Sequence, residues 1–248
     1  VSLRLVRWPG LAGMSLDTPS VNDDADFIDP AIIYLNTSGT TGGTNLIPFT
    51  EHQIALQAQR HQDYADACFL RLAPVEYNTS KRHRLYSLWN GGTNVFRPQG
   101  SLARVAEFAR SCGVSCLDIS KMHVSELIAL NDKATLAQVK VRPGGAEILA
   151  HERRLFREKL AAPLYVRYAT TETGAIAMTN PLEGDDDETC GLPLPGVMVE
   201  IVGEQGELLT PGRFGEIRLK APGMATGYLD SPGQTELRFR EGWFYPGD

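Results

Sequence analysis

The chain has 248 residues, 42% of them apolar and 22% charged, enough to bury a substantial core and too apolar for a disordered segment. With 24 Lys and Arg against 30 Asp and Glu, its formal charge of -6 weighs against general nucleic-acid binding, which needs clustered cations. No apolar stretch is long enough to span a bilayer and the start lacks a signal-peptide pattern, so the expected compartment is the cytoplasm.

Residues 1 to 30 mix Pro, Gly and acidic side chains and read as an exposed approach to the strand "AIIYL". A run of small residues follows, Thr37-Ser38-Gly39-Thr40-Thr41-Gly42-Gly43. Thr50 and Gln53 then have the Thr-x-x-Gln form of a capping box, which predicts a helix through about Cys68 and a local order of strand, loop, helix. The basic run Lys81-Arg82-His83-Arg84 reads as a solvated loop that a small anion could use. "SLARVAEFARSCG", "KMHVSELIAL" and "EILAHERRLFREKL" are predicted helices. "VSCLDIS", "QVKVRPGG" and "PLYVRYATTETG" are predicted strands, the last running into a hydroxyl-rich turn. This alternation implies an α/β fold with a mostly parallel sheet flanked by helices.

The alternation stops near residue 180. "TNPLEGDDDETCGLPLPG" is an acidic, Gly/Pro-rich boundary, and "VMVEIV", "GELL" and "FGEIRLKA" beyond it read as short strands of a small all-β, barrel-like subdomain. The expected division is 1–180 for the α/β portion and 181–248 for linker and β-rich subdomain. Cys68, Cys112, Cys116 and Cys190 have no CxxC spacing. Cys112 and Cys116 could share a helix face, but without a neighbouring His pair they read as reduced, packed thiols.

A glycine-rich turn after a strand brings backbone N–H groups close to a ligand, and Ser/Thr hydroxyls add neutral donors suited to phosphate. A P-loop would need Gly-Lys-Ser/Thr at the helix start; here Gly43 is followed by Thr44 and Asn45. With "GGAEIL", "YATTETG", "CGLPLPGVMVEIV" and "GWFYPGD" in order behind "TSGTTGG", the chain resembles the adenylate-forming enzymes: acyl-CoA synthetases, peptide-synthetase adenylation domains and luciferases. The resemblance implies ATP-dependent activation of a carboxylic acid through an acyl adenylate, with Mg2+ as cofactor and coenzyme A or a carrier-protein phosphopantetheine as thiol acceptor.

By that resemblance Thr37, Ser38, Gly39, Thr40, Thr41 and Gly42 wrap the β- and γ-phosphates, and Gly144, Gly145 and Ala146 approach the adenine or the acyl group. Tyr168 stacks on adenine, Thr171 donates to the α-phosphate, Glu172 holds magnesium, and Asp248 accepts from the ribose hydroxyls. Tyr77, Ala169 and Thr170 border the acid, with Asn78, Ala175 and Ile176 as further pocket candidates.

The chain departs from the family pattern in several places. The loop lacks the usual Pro and Lys, Thr50-Glu51 stands where Thr-His is usual, Ala169 replaces Gly, and Pro246 replaces Thr. The resemblance covers part of the family's large N-terminal domain, so the chain is expected to be a fragment, incomplete at both ends, without the C-terminal catalytic domain and with little turnover alone. The alternative reading is a non-catalytic relative that binds nucleotide or a partner. Thr40→Val or Thr41→Val in the complete protein is expected to weaken ATP–pyrophosphate exchange; unchanged exchange would remove the loop's assignment.

Overall fold

In the computed structural model, which describes residues 31–37, 44–96, 102–131, 136–181 and 188–248, the opening apolar run forms strand β1 (Ala31–Asn36). A second strand, β2 (Leu46–Thr50), intervenes before any helix and pairs antiparallel with it, Leu35 opposite Ile47. The expected order of strand, loop, helix is therefore corrected to a hairpin followed by a helix. The alternating burial of β2 explains the strand: Ile47 and Phe49 point inward and are fully buried. The Thr37 N–H donates to the Asn45 carbonyl (2.8 Å), closing the base of the hairpin loop. Ser38, Gly39, Thr40, Thr41 and Gly42 lie outside the described residues, as do residues 1–30 and the centre of the acidic boundary.

Helix α1 (Glu51–Gln59) opens as its sequence requires: the Gln53 N–H donates to Thr50 Oγ1 (3.2 Å) and the Thr50 N–H to Gln53 Oε1 (3.0 Å). It stops at Gln59 rather than near Cys68. A 3-10 turn (Gln62–Tyr64) follows, and Cys68 opens strand β3 (Cys68–Arg71). The basic run is not a solvated loop either: it lies in α2 (Asn78–Trp89), with Arg82 and His83 buried.

Beyond α2 come β4 (Thr93–Val95), α3 (Ala103–Ser111), β5 (Cys116–Ser120), α4 (Lys121–Leu130), β6 (Lys140–Gly144) and α5 (Ala150–Leu160). All four strands β3 to β6 pair in parallel, in the order β4-β3-β5-β6. Period-two alternation gives this sheet two different faces. Leu70, Leu117, Ile119 and Val141 join Val105, Val124 and Phe156 of α3, α4 and α5 in one apolar core. The opposite face carries Phe69, Arg71, Asp118 and Arg142, where Tyr64 packs on Phe69 (ring centroids 4.4 Å) and both arginines lie over the Phe69 ring. The four cysteines are free thiols; Cys112 caps α3 and Cys116 is in β5, so they share no helix face.

Strands β7 (Arg167–Thr170), β8 (Gly174–Met178) and β9 (Leu192–Pro193) form a three-stranded sheet. The tail contributes β10 (Met198–Val202), β11 (Glu216–Lys220), β12 (Phe239–Arg240) and β13 (Trp243–Phe244), ordered β10-β11-β13-β12 and antiparallel throughout. This β-rich tail also holds a short helix, α6 (Pro232–Arg238), started by Pro at its first position. The compact units are discontinuous in sequence. One gathers the described residues of His61–Tyr168 and Ala177–Leu192; the other gathers those of Leu11–Arg60, Ala169–Ile176 and Pro193–Asp248.

Arg71, Asp118 and Arg142 stand in register on β3, β5 and β6, Arg71 opposite Asp118 and Asp118 opposite Arg142. Arg142 Nε donates to Asp118 Oδ1 at 2.7 Å. Arg71 Nε lies 3.0 Å from Oδ2, a charge contact whose angle falls outside hydrogen-bond geometry. Arg71 is further tied to Asn94 Oδ1 (2.5 Å) and the His83 carbonyl (3.0 Å). Removing the shared carboxylate leaves the buried Arg71 guanidinium without a carboxylate and Arg142 with only Asp63, 3.5 Å from its Nη1. Asp118→Ala is expected to cost about 3–5 kcal/mol in chemical denaturation, and a cost below about 1 kcal/mol would show that the triad is dispensable.

Candidate functional site

In the unit built on the parallel sheet, the C-terminal ends of β3, β5 and β6 open onto a cavity of about 470 Å³. Ligand sites in parallel α/β sheets lie beyond this edge because the loops there are free to vary. Tyr77, Gly144, Gly145 and Ala146 all line the cavity, so it brings together four residues singled out in the sequence. Tyr77 is the N-cap of α2 and exposed. Gly145 has φ +89°, a conformation that any side chain would strain. The first turn of α4 also faces the cavity, with its Ser120 N–H satisfied by His123 Nδ1 at 3.1 Å.

The charges around this cavity are unequal. Burial would push the Asp118 carboxyl upward, but Arg142 first, then Arg71 and Arg167, outweigh it and hold it well below the usual carboxylate range. Burial, reinforced by Arg167 and by His61, drives His83 well below the ordinary histidine value. Its imidazole is therefore neutral, and the geometry makes Nδ1 the acceptor: Tyr64 Oη lies at 2.5 Å and Arg167 Nη1 at 3.3 Å.

In the second unit, the hydroxyl-rich turn after β7 is fixed by its own side chains and by α1. Thr170 Oγ1 accepts from the Thr173 N–H (3.2 Å) and lies 2.9 Å from Thr173 Oγ1. Arg60, at the C-cap of α1, donates to the carbonyls of Thr173 (2.6 Å) and Ala175 (3.0 Å). Two side chains earlier on the same helix reach a different segment: Gln53 Nε2 donates to the Met224 carbonyl (2.9 Å) and Gln57 Nε2 to that of Gly223 (2.6 Å). Gly223 has φ +70°, and a Cβ there would meet the Gln53 carbonyl oxygen at 2.2 Å. The Ala225 N–H in turn donates to the Glu172 carbonyl (2.8 Å), and the Tyr228 hydroxyl donates to Glu172 Oε1 (2.7 Å).

Glu172 is buried, and its Oε2 takes no hydrogen bond among the described residues. Burial first, then the bond to Glu172 and its charge, raise the Tyr228 phenol and keep it a donor. No cluster of three His, Cys, Asp or Glu among the described residues could hold a metal alone. One hard carboxylate oxygen beside phosphate oxygens is nevertheless the donor set magnesium prefers.

Other sequence-predicted residues sit apart from these contacts. Thr37 is buried at the base of the hairpin loop. Ala169 is exposed and Tyr168 half-buried in β7. Asp248 is exposed, its carbonyl accepting from the Ile217 N–H at 3.3 Å. Arg60, Arg167 and Tyr228 escape the reading of the sequence. Tyr228 does lie in the segment running to "GWFYPGD", which was its only signal.

Comparison with known proteins extends this picture. The "AMP-binding enzyme" family matches residues 12–229. This chain belongs to that family. Among curated relatives of this AMP-binding family member, the oxalate-CoA ligase of Arabidopsis thaliana is 23% identical over 250 residues, 94% of this chain and 48% of the ligase. Surfactin synthase subunit 1 of Bacillus subtilis is 26% identical over 248 residues, 92% of this chain and 7% of that subunit. The chain thus spans about half the length of the curated ligase and a small part of the synthase. ATP-bound MatB from Rhodopseudomonas palustris superposes with a TM-score of 0.79 at 25% identity, covering 89% of this chain and 45% of that one. The AMP complex of O-succinylbenzoate coenzyme A synthetase from Bacillus subtilis, at TM-score 0.79 and 22% identity, shares the fold.

The neutral His83 makes stability depend on pH. Its folded-state value is depressed below the ordinary 6.5, so below that pH the unfolded chain binds a proton that the folded chain refuses, and stability falls as pH falls. The slope approaches about 1.4 kcal/mol per pH unit for one proton. His83→Gln is expected to flatten the loss of thermal stability between about pH 6.5 and 5; an unchanged profile would mean that His83 is protonated in the fold.

Proposed function

We propose that the whole protein activates a carboxylic acid with ATP. A carboxylate oxygen attacks the α-phosphorus, the bond to the bridging oxygen of the β-phosphate breaks, and pyrophosphate leaves behind an acyl adenylate. A thiol then attacks the acyl carbonyl and AMP departs. The observation that carries this reading is the clamped turn: a buried Glu172 with one oxygen oriented by Tyr228 and the other without a partner among the described residues, flanked by Thr170 and Thr171.

In this reading Glu172 Oε2 is the protein's ligand for Mg2+. A bound magnesium ion would neutralise phosphate oxygens and so favour departure of pyrophosphate. Thr171 donates to the α-phosphate as charge builds there, and Arg60, through the Thr173 and Ala175 carbonyls, keeps that turn from relaxing. Thr37, Ser38, Gly39, Thr40, Thr41 and Gly42 supply neutral donors to the leaving pyrophosphate. Tyr168 stacks on the adenine and the Asp248 carboxylate takes the ribose hydroxyls. The cavity lined by Tyr77 and Gly144 to Ala146 takes the acid; Ala169 and Thr170, which do not line it, are acid-bordering candidates on the family resemblance alone.

Coenzyme A or a carrier-protein phosphopantetheine is the acceptor, supported by CoA ligases and a peptide synthetase among the relatives. No described helix is long and apolar enough to cross a membrane, and substrates of this kind suit the cytoplasm.

The test is ATP–pyrophosphate exchange by the full-length protein over a panel of carboxylic acids. Exchange is expected with at least one acid, and Glu172→Gln is expected to lower it about 100-fold or more. Tyr228→Phe leaves the carboxylate but loosens it, so the magnesium needed for half-maximal exchange should rise about 10- to 100-fold. ATP binding without exchange for any acid would favour the non-catalytic alternative.

A further inference from the structure

The cavity in the sheet-bearing unit is lined by three cations besides histidine: Arg71, Lys121 and Arg167. Two have their counter-charge within the protein. Arg71 shares Asp118 with Arg142, and Lys121 Nζ lies 3.4 Å from Glu152 Oε2. Arg167 is different. Its one side-chain hydrogen bond among the described residues goes to the neutral His83 imidazole, and no described carboxylate lies within ion-pair distance of it.

The guanidinium is also presented to the cavity. Its Nη1 is held by His83, while Nη2 lies over Gly144: a Cβ at that position would come within 3.6 Å of it. Glycine there leaves this edge uncovered, and the planar fork retains N–H donors in the orientation that suits a carboxylate. The first turn of α4, with Ser120 to His123 on the cavity wall, adds the positive end of a ten-residue helix. The carboxylate whose charge it feels, Asp118, is already engaged by Arg71 and Arg142; partly burying a cation without a direct ion pair is costly, and an anionic ligand offsets that cost.

We infer that the acid taken by this cavity carries a second anionic group, beyond the carboxylate that is activated, and that Arg167 holds it. The inference rests on the acid-activating function proposed above and narrows its substrate class to dicarboxylates and related dianions. The neutral His83 positions the guanidinium without competing for the anion. Tyr64, donating to the same Nδ1, keeps that nitrogen an acceptor. An acid ending in a methyl group would leave the guanidinium desolvated and uncompensated, so discrimination arises from the penalty against the wrong substrate as much as from attraction to the right one.

The experiment uses the full-length protein and pairs of acids differing in one terminal group: malonate against propionate, succinate against butyrate, glutarate against valerate, and benzene-1,3-dicarboxylate against 3-methylbenzoate. Each is scored by calorimetric binding and by ATP–pyrophosphate exchange. At least one diacid is expected to exceed its partner by about 10- to 100-fold in both readouts. Arg167→Met should erase that preference by raising KM for the diacid, and Arg167→Lys, which keeps charge but loses the fork, should restore part of it. Urea midpoints close to wild type identify folded variants. Monoacids that bind and exchange as well as diacids would overturn the inference while leaving the acid-activating function standing. Diacid binding that depends on Arg167, without exchange, would support the anion site and overturn the activity. No diacid preference in either readout, or a preference indifferent to both variants, overturns the assignment of Arg167.

Discussion

A single carboxylate shared by two buried arginines sets the geometry on which the cavity beyond the parallel sheet depends. Asp118 occupies the middle strand of three, and its partners stand directly opposite it on both sides. A slip of either neighbouring strand by one residue would turn its arginine to the apolar face and strand the charge. The triad contributes specificity more than net stability, because desolvating three ions offsets much of their attraction. What it secures is alignment of three strand ends, and the cavity opens where those strands end.

The same economy of contacts governs the hydroxyl-rich turn. Three side chains of α1 on one side of the helix reach backbone carbonyls, Gln53 and Gln57 those of residues 224 and 223, and Arg60 those of residues 173 and 175. They fix backbone rather than side chains, and the Thr170 hydroxyl adds a clasp within the turn by accepting from the Thr173 N–H. Tyr228 is the exception, touching the Glu172 carboxylate itself. An oriented oxygen meets a hard cation without first losing rotamer freedom, the advantage of outer partners in metal sites generally.

Local chemistry was legible and distant pairing was not. The capping box at Thr50 and Gln53 announced α1, and the β5 and β6 strands and the α3, α4 and α5 helices followed from periodicity and Gly or Ser punctuation. Strand β2 was hidden because its five residues sit between a glycine-rich loop and a strong helix start, so the run merged with its neighbours. Helix α2 was misread for a physical reason: its buried Arg82 and His83 look like surface residues in sequence, and His83 is made neutral by groups that include Arg167, 84 positions away. The motifs naming Glu172 and Gly144 to Ala146 could be read directly. Arg60 meets the Ala175 carbonyl across 115 positions, and no pattern of spacing encodes such a bond.

The grip of α1 on residues 223 and 224 also orders the events of synthesis. Glu172 emerges from the ribosome more than fifty residues before Ala225 and Tyr228, which complete its surroundings. Until that stretch follows, the glutamine amides of α1 and the Glu172 carbonyl must remain hydrated, and the turn has only Arg60 and its own threonine bonds to define it. Assembly of the surroundings of Glu172 is thereby deferred to a late stage of translation, whereas the parallel sheet, whose strands are all encoded before residue 145, can close first.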